Sequence, residues 1–358
     1  MASQIPDSSI AEPSHKFLII PCNAAGMGSI LRGAISGLLF AEFTGRVPLI
    51  YWHQNCNYLK IAAPPYHNAF HDYYTSTCSL SLEDAFKQSK STYPEGTRIE
   101  NLHALLDELH RALSRSEEYF SDVCSNLAGQ ADLVVFPTYV SMQRILEVIP
   151  PEHQFHKMGE EALTQWAATK FLTVNKRITD QVNDFWAQYF ANTEQVVTVH
   201  IRVGDKYRES ILPSFSRYKH QVDAFLRKHP QGKIYLASDS SHAVNFFHKR
   251  YADRVVTSPA LRSSGRKGVH KTGADGLQIG NDILFDVECL SRGNHFIGFD
   301  ESNVFFWVQH LTKAGINQSF SHISVRSGFK EILFNRQSLK RAAKRTWRRL
   351  FSSTDQSV

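Results

Sequence analysis

The chain reads as an α/β protein built from two doubly wound parallel sheets facing each other. Three observations predict this. Apolar runs without polar alternation, such as 16–22 (KFLIIPC) and 132–136 (DLVVF), are what strands buried on both faces require. Helical segments stand between such runs, the order expected of right-handed βαβ units. The alternation comes in two blocks, and 358 residues at roughly 100–200 per domain leave room for two domains.

In order, the pattern predicts a strand over 16–22, a turn over 23–29 (NAAGMGS), a helix over 30–44 stopped by Gly45, and a strand over 47–52. Residues 53–100 hold prolines, asparagines, histidines and many aromatics, and are expected to be excursion loops rather than sheet. Helices over 101–114 and 117–127, a strand over 132–136 and helices over 159–171 and 174–190 follow. In the last, Ile178, Val182, Phe185, Trp186 and Tyr189 line one face. The second block has strands over 196–202, 233–238, 255–257 and 295–299. Its helices are expected over 215–228, 242–251, 276–292 and 302–314, the last with Ser302 as N-cap and Gly315 as stop. The expected organisation is a disordered N-terminus over 1–15, Rossmann-like domains over 16–180 and 181–335, and a tail over 336–358. The loop 258–272 is Gly/Ser-rich, basic and expected to move.

The formal net charge is +6, and the acid-free segment 338–351 alone carries six basic residues, so the remainder is neutral. A nucleic-acid protein spreads its excess charge over the folded domain, which argues against that class. In the tail, Leu339, Ala343, Trp347 and Phe351 form one row, opposite Lys340, Lys344, Arg348 and Arg341, Arg345, Arg349. That is the pattern of an interfacial helix on anionic lipid, or of a helix docked on the protein with a solvated basic face. Five cysteines without a CxxC suggest reduced thiols in a cytoplasmic protein. The polar start lacks signal-peptide character, and no apolar run reaches the roughly 18 residues of a membrane span. The expected location is therefore cytoplasmic, with a peripheral place on the inner membrane face if the tail binds lipid.

In α/β folds, ligands bind at the carboxyl ends of strands, which directs attention to four places. Gly26 and Gly28 lie between the first strand and its helix, where amides cradle an anion or merely make a tight turn. Leu31 stands where a dinucleotide fingerprint needs its third glycine, His53 stands where it needs an acid, and 23–29 lacks the P-loop lysine. Dehydrogenase and P-loop ATPase readings are therefore set aside. The second place is 197–206 (VTVHIRVGDK). Strand period puts His200 and Arg202 on one face at the carboxyl end, with Asp205 and Lys206 past the turn at Gly204. An arginine there forks two diphosphate oxygens, a histidine bonds phosphate or base or acts as general base, and the alternative is a salt-bridged strand end. Third, Asp239 follows the strand KIYLAS, to bind a sugar or ribose hydroxyl or to cap the next helix. Fourth, Asp286 interrupts an apolar helix (ILFDVECLS) and needs a partner if buried, either a ligand's N–H edge such as guanine's or a neighbouring arginine. Ser302 and Asn303 open a further helix after a strand.

His67 and His71 have a metal-like spacing, but no third ligand is evident and 17 histidines make chance pairs expected. Tyr51, Trp52, Tyr58, Tyr66, Tyr73 and Tyr74 are candidates to stack on sugars or to fill core.

The order of a Gly-x-Gly loop, HxRxxDK, YLASD, D-x-x-x-L-S-x-x-x-x-F-I and S-N at a helix start resembles the α1,6-fucosyltransferase superfamily. FAEFTGRVPLIYWHQNCNY, followed by NAF at 68–70, is similar to the rhizobial nodulation branch. The resemblance covers about residues 16–315. It implies a GT-B-like, inverting, metal-independent transferase with GDP-fucose as donor, a glycan acceptor and no cofactor. By it, His200 and Asp286 hold guanine, Arg202 grips the β-phosphate, Gly26 and Gly28 form a diphosphate loop, and Ser302 and Asn303 form a second phosphate turn. Asp239 matches the acid after YLA-type strands. Two departures stand out. Val203 replaces the second arginine of HxRRxD, and Ser210, with Glu209 beside it, stands where the catalytic-loop acid falls. The base is thus open between Glu209, Asp205 and Asp239. No Asp-x-Asp is present to clamp a metal, so Arg202 and Lys206 are expected to neutralise the diphosphate. A catalytically inert nucleotide- or glycan-binding protein of the same fold, or a transferase for another nucleotide sugar, is the competing reading.

Overall fold

A computed structural model describes residues 16–328 apart from 23, 76–79, 112, 127–129, 139, 266–267 and 312–319. The N-terminus over 1–15 and the basic tail over 336–358 lie outside the described residues. Two compact units are present, with Lys60–Ala62 counted in the second and the chain passing between them at Thr173–Val174.

The first unit runs β1 (Phe17–Pro21), α1 (Met27–Thr44), β2 (Val47–Tyr51), α2 (Phe70–Tyr73), β3 (Tyr74–Thr75), α3 (Leu82–Gln88), β4 (Thr92–Tyr93), α4 (Ile99–Arg111), α5 (Leu113–Asn126), β5 (Leu133–Val135), α6 (Met142–Val148) and α7 (Glu160–Phe171). The two-residue β6 (Thr173–Val174) lies at the join. Its sheet is ordered β2-β1-β5-β4 and is parallel throughout. Gly45, at φ 64°, ends α1 by donating its N–H to Ala41 and Glu42. Helix and sheet meet closely at Gly37, where a Cβ would lie 2.9 Å from Ile20.

Two expectations for this unit need correction. α1 begins at Met27 rather than 30, because Gly26 is already the extended N-cap residue. The stretch 53–100 is not free of sheet and helix. β4 joins the sheet beside β5, and Ser81 and Asp84 close a capping box that starts α3. Short elements carry too few residues for a period to register.

The second unit runs α8 (Lys176–Phe190), β7 (Val196–Ile201), α9 (Phe215–Lys228), β8 (Lys233–Ser238), α10 (Ser241–Tyr251), β9 (Val255–Val256), α11 (Gly276–Leu290), β10 (His295–Gly298), α12 (Asn303–Leu311) and β11 (Ser321–Ser324). β11 was not expected from the sequence. The boundary expected at 180/181 would cut α8, yet α8 belongs whole to this unit. Its Phe185 packs edge-on against Phe285 of α11 and Tyr235 of β8.

This sheet is ordered β11-β10-β7-β8-β9 and is parallel. Counted in chain order within the unit, its strands stand 3-2-1-4-5, the order of a dinucleotide-binding fold. The order reverses between β7 and β10, and at that reversal the crossovers leave a crevice past the carboxyl ends. The fold thus points to the chain just beyond Ile201 and Gly298. No described helix is long and apolar enough to cross a membrane. Cys22, Cys56, Cys124 and Cys289 are unbridged.

Candidate active site

β7 is buried along its whole length. Thr198 donates its hydroxyl to the Leu290 carbonyl of α11 at 2.8 Å, so the face shared by 198 and 200 is the one α11 covers. His200 therefore sits under α11, buried, and its Nδ1 has no hydrogen-bond partner. Burial, assisted by the Arg202 charge, pushes its pKa down to about 3. The ring is neutral at working pH, with one buried nitrogen in need of a partner.

Past the strand end, the Arg202 guanidinium is held at both ends. Nη1 donates to Asp239, and Nη2 donates to Asp205 Oδ1 at 2.7 Å. Asp239 is anchored in turn by the Val203 N–H at 2.9 Å. Gly204, at φ 25°, makes the turn possible. A Cβ there would lie 2.5 Å from Asp239 Oδ2 and 3.2 Å from Arg202 Nη1, so a larger residue must displace the pair. Asp239 thus orients Arg202; the helix-capping alternative is not what its side chain does.

Asp205 also faces His270 Nε2 at 3.5 Å and Lys271 Nζ at 3.8 Å. Burial lowers the His270 pKa, against the pull of Asp205. These two residues come from the loop read above as mobile and basic, and only its excess of positive charge hinted at a role. Lys206 opens a single 3-10 turn and donates to Glu209 at 2.7 Å. Of the three candidate bases, Glu209 is the exposed one, at 66% against 18% for Asp205 and 12% for Asp239.

Asp286 makes no hydrogen bond to an arginine or to His200 among the described residues, although the Arg262 charge acts on it. Its Oδ1 accepts the hydroxyls of Tyr235 and Ser258, both at 2.6 Å. Burial raises its pKa to about 6 despite those two bonds. Sequence reasoning missed both hydroxyls, which come from β8 and from the segment just after β9. Arg262 lies close by and donates to the Ser258 carbonyl at 2.6 Å, with its Nε buried and unpartnered. Ser302 is buried, and its hydroxyl accepts the Val304 N–H at 3.3 Å. It caps α12 with Asn303 following, so the acceptor side of that hydroxyl is in use.

In the first unit, the glycine loop is partly filled. Met27 N–H, at the start of α1, donates to the Tyr58 hydroxyl at 2.7 Å. A Cβ at Gly26 would meet nothing closer than that hydroxyl at 4.0 Å, so sterics alone do not require glycine there. Gly28 follows within the first turn of α1. Tyr51, Trp52, Tyr58, Tyr73 and Tyr74 are buried core and do not offer faces to a sugar. Tyr66 is half-buried against His103. His67 pairs with Asp72 at 2.7 Å, and among the described residues no group of three or more His, Cys, Asp or Glu is arranged to hold a metal.

No family model and no curated protein matches the chain. Solved structures do. The NodZ alpha-1,6-fucosyltransferase soaked with GDP-fucose is 18% identical, with 83% of this chain and 92% of that one covered, at a TM-score of 0.53. The fucosyltransferase NodZ from Bradyrhizobium is 17% identical over 82% and 92%, at 0.51. POFUT1 in complex with GDP-fucose is 12% identical over 88% and 99%, at 0.52. At such identities the likeness establishes the fold, an α/β architecture with parallel sheets of the GT-B-like kind seen in fucosyltransferases.

Proposed function

We propose that the chain is an inverting glycosyltransferase that moves fucose from GDP-fucose to a glycan hydroxyl without a metal. The observation that carries this reading is Arg202, fixed by Asp205 and Asp239 beside the switch point of a sheet whose fold matches fucosyltransferases bound to GDP-fucose or GDP. A guanidinium has five donors, and two are committed to the carboxylates. The others are available to β-phosphate oxygens. His200 supports a base-binding role, since its neutral ring carries an unsatisfied buried nitrogen on the α11 face. Asp286 fits the same role as an acceptor for guanine N–H groups.

In the reaction, a carboxylate takes the acceptor hydroxyl proton and the oxygen attacks the sugar's anomeric carbon. The carbon–oxygen bond to the diphosphate breaks on the opposite face, so one displacement inverts the centre. Charge gathers on the leaving GDP, where Arg202 and Lys206 stabilise it. Glu209, exposed although paired with Lys206 at 2.7 Å, is the preferred base, because Asp205 and Asp239 both hold Arg202 and are shielded from solvent. Gly26 and Gly28 are assigned a lesser part than the resemblance implies, because one amide of that turn is already bonded to Tyr58.

Ser210, standing where the resemblance puts an acid, favours a second reading: a GDP-binding protein without transfer. Incubation with GDP-fucose in EDTA, beside a panel of glycan acceptors, separates the two. Acceptor-dependent GDP release with an inverted product anomer is the expected result. A requirement for Mg²⁺ or Mn²⁺ contradicts the metal-free mechanism, and GDP binding without release supports the inert reading.

A further inference from the structure

The second unit has a cavity at the other end of its sheet. It lies against the amino ends of β7, β10 and β11, marked by Gln195, His295 and Ser321, with the carboxyl-terminal half of α9 as its wall. β7 spans six residues, so roughly 20 Å of strand separates this cavity from Arg202. Its volume, about 430 Å³, is that of a small-molecule site.

The lining is chemically one-sided. Lys228, His229 and His295 line it, and no acid does. Lys228 makes no hydrogen bond or ion pair among the described residues, and the α9 face that carries it also carries Gln221 and Phe225. The Phe225 ring is stacked on His295, with centroids 5.8 Å apart at 12°, and touches His229 at 4.7 Å. The His229 ring is tilted at 42° to Phe225. Side-chain amides of Gln195 and Gln221 supply donors and acceptors around these rings, and Asn294, whose Oδ1 accepts the Val196 N–H at 2.8 Å, supplies a donor. Burial, then the neighbouring His322, Lys228 and His229, holds the His295 pKa below its ordinary value. Lys228 stands at the cavity with no acid among the lining residues, and an anionic group would pair with it. Amides beside aromatic rings suit a ring bearing several hydroxyls.

From the unopposed Lys228, the amides and the aromatic rings together, we infer that this cavity is a second binding site for a sugar bearing one anionic group. It does not depend on the transferase reading, because no residue of the Arg202 site lines it.

The test is calorimetric titration of the full chain, using glucose 6-phosphate, glucuronate, glucose and inorganic phosphate as probes. At least one anionic sugar is expected to bind with a stoichiometry near one, and glucose and phosphate at least tenfold more weakly. Lys228→Glu is expected to weaken the anionic sugar at least tenfold and to leave GDP binding unchanged. Lys228 is exposed, so that variant should fold; Lys228→Gln, which removes the charge without reversing it, should give a smaller loss. Failure of both anionic sugars to bind, or binding that survives Lys228→Glu, overturns the site. Phosphate binding as tightly as the sugars overturns the sugar assignment.

Discussion

A guanidinium at a strand end samples many rotamers unless something holds it, and Arg202 is held at each terminal nitrogen by a carboxylate. Lysine keeps the charge but not the fork, so Arg202→Lys should weaken GDP by about 10–100-fold, the range of one or two lost charged hydrogen bonds. Calorimetry checks this, and unchanged affinity would remove Arg202 from the site. Glu209→Gln is predicted to lower kcat by about 10²–10⁴-fold with GDP affinity unchanged, as for a general base. Asp239→Asn should instead weaken the donor, since it loosens Arg202. A Glu209→Gln variant of normal kcat would pass the base role elsewhere. The Asp286 carboxyl, with its pKa raised to about 6, sets a pH dependence. A guanine edge needs the ionised form, so ligand binding releases a proton from any protonated Asp286. GDP affinity should be level above that pH and fall by up to tenfold per unit below it, and Asp286→Asn should flatten the curve. Residue identities at this scale were partly legible. Strand period put His200 and Arg202 together, and the turn put Asp205 near them. The hydroxyls of Tyr235 and Ser258 on Asp286, and His270 beside Asp205, cross tens of residues of chain, and no local pattern announces such pairings.

At the scale of elements, long amphipathic or apolar segments were readable and short ones were not. The bounds of α9 and β8 follow directly from their sequences, because each has a full period to display. Four two-residue strands fall at or below what alternation can signal, though β9 was anticipated within one residue. The start of α3 does leave a trace, the Ser81-Leu-Glu-Asp84 capping pattern, inside a stretch whose composition is otherwise that of a loop. The Ser81 hydroxyl accepts the Asp84 N–H at 3.1 Å, so Ser81→Ala should cost about 1 kcal/mol. Gly37→Ala tests a different feature. Its new methyl would meet Ile20 at 2.9 Å, and the close seat of α1 on β1 predicts a loss of about 1–3 kcal/mol despite alanine's better helix propensity. Urea midpoints measure both; a stabilised Gly37→Ala would mean that α1 and β1 have room to spare.

For the molecule as a whole, the sequence disclosed the class early because alternation in two blocks allows few architectures. It also located the charge excess in the tail, which lies outside the described residues. If the tail serves a lipid surface, removal of 336–358 should abolish binding to anionic vesicles and leave GDP affinity as it was. Vesicle binding unaltered by the deletion would reject that role. The order of the second sheet, by contrast, was not legible from the chain, since β11 escaped notice and strand order depends on crossovers. Yet that order sets the switch point between β7 and β10, and the claim that a guanine nucleotide sits there is the center of the account. Titration of the full chain with GDP in EDTA, beside UDP and ADP, tests it most directly. The account predicts GDP binding at least tenfold tighter than either, lost in Arg202→Ala. Equal binding of the three, or GDP binding indifferent to Arg202, would contradict it.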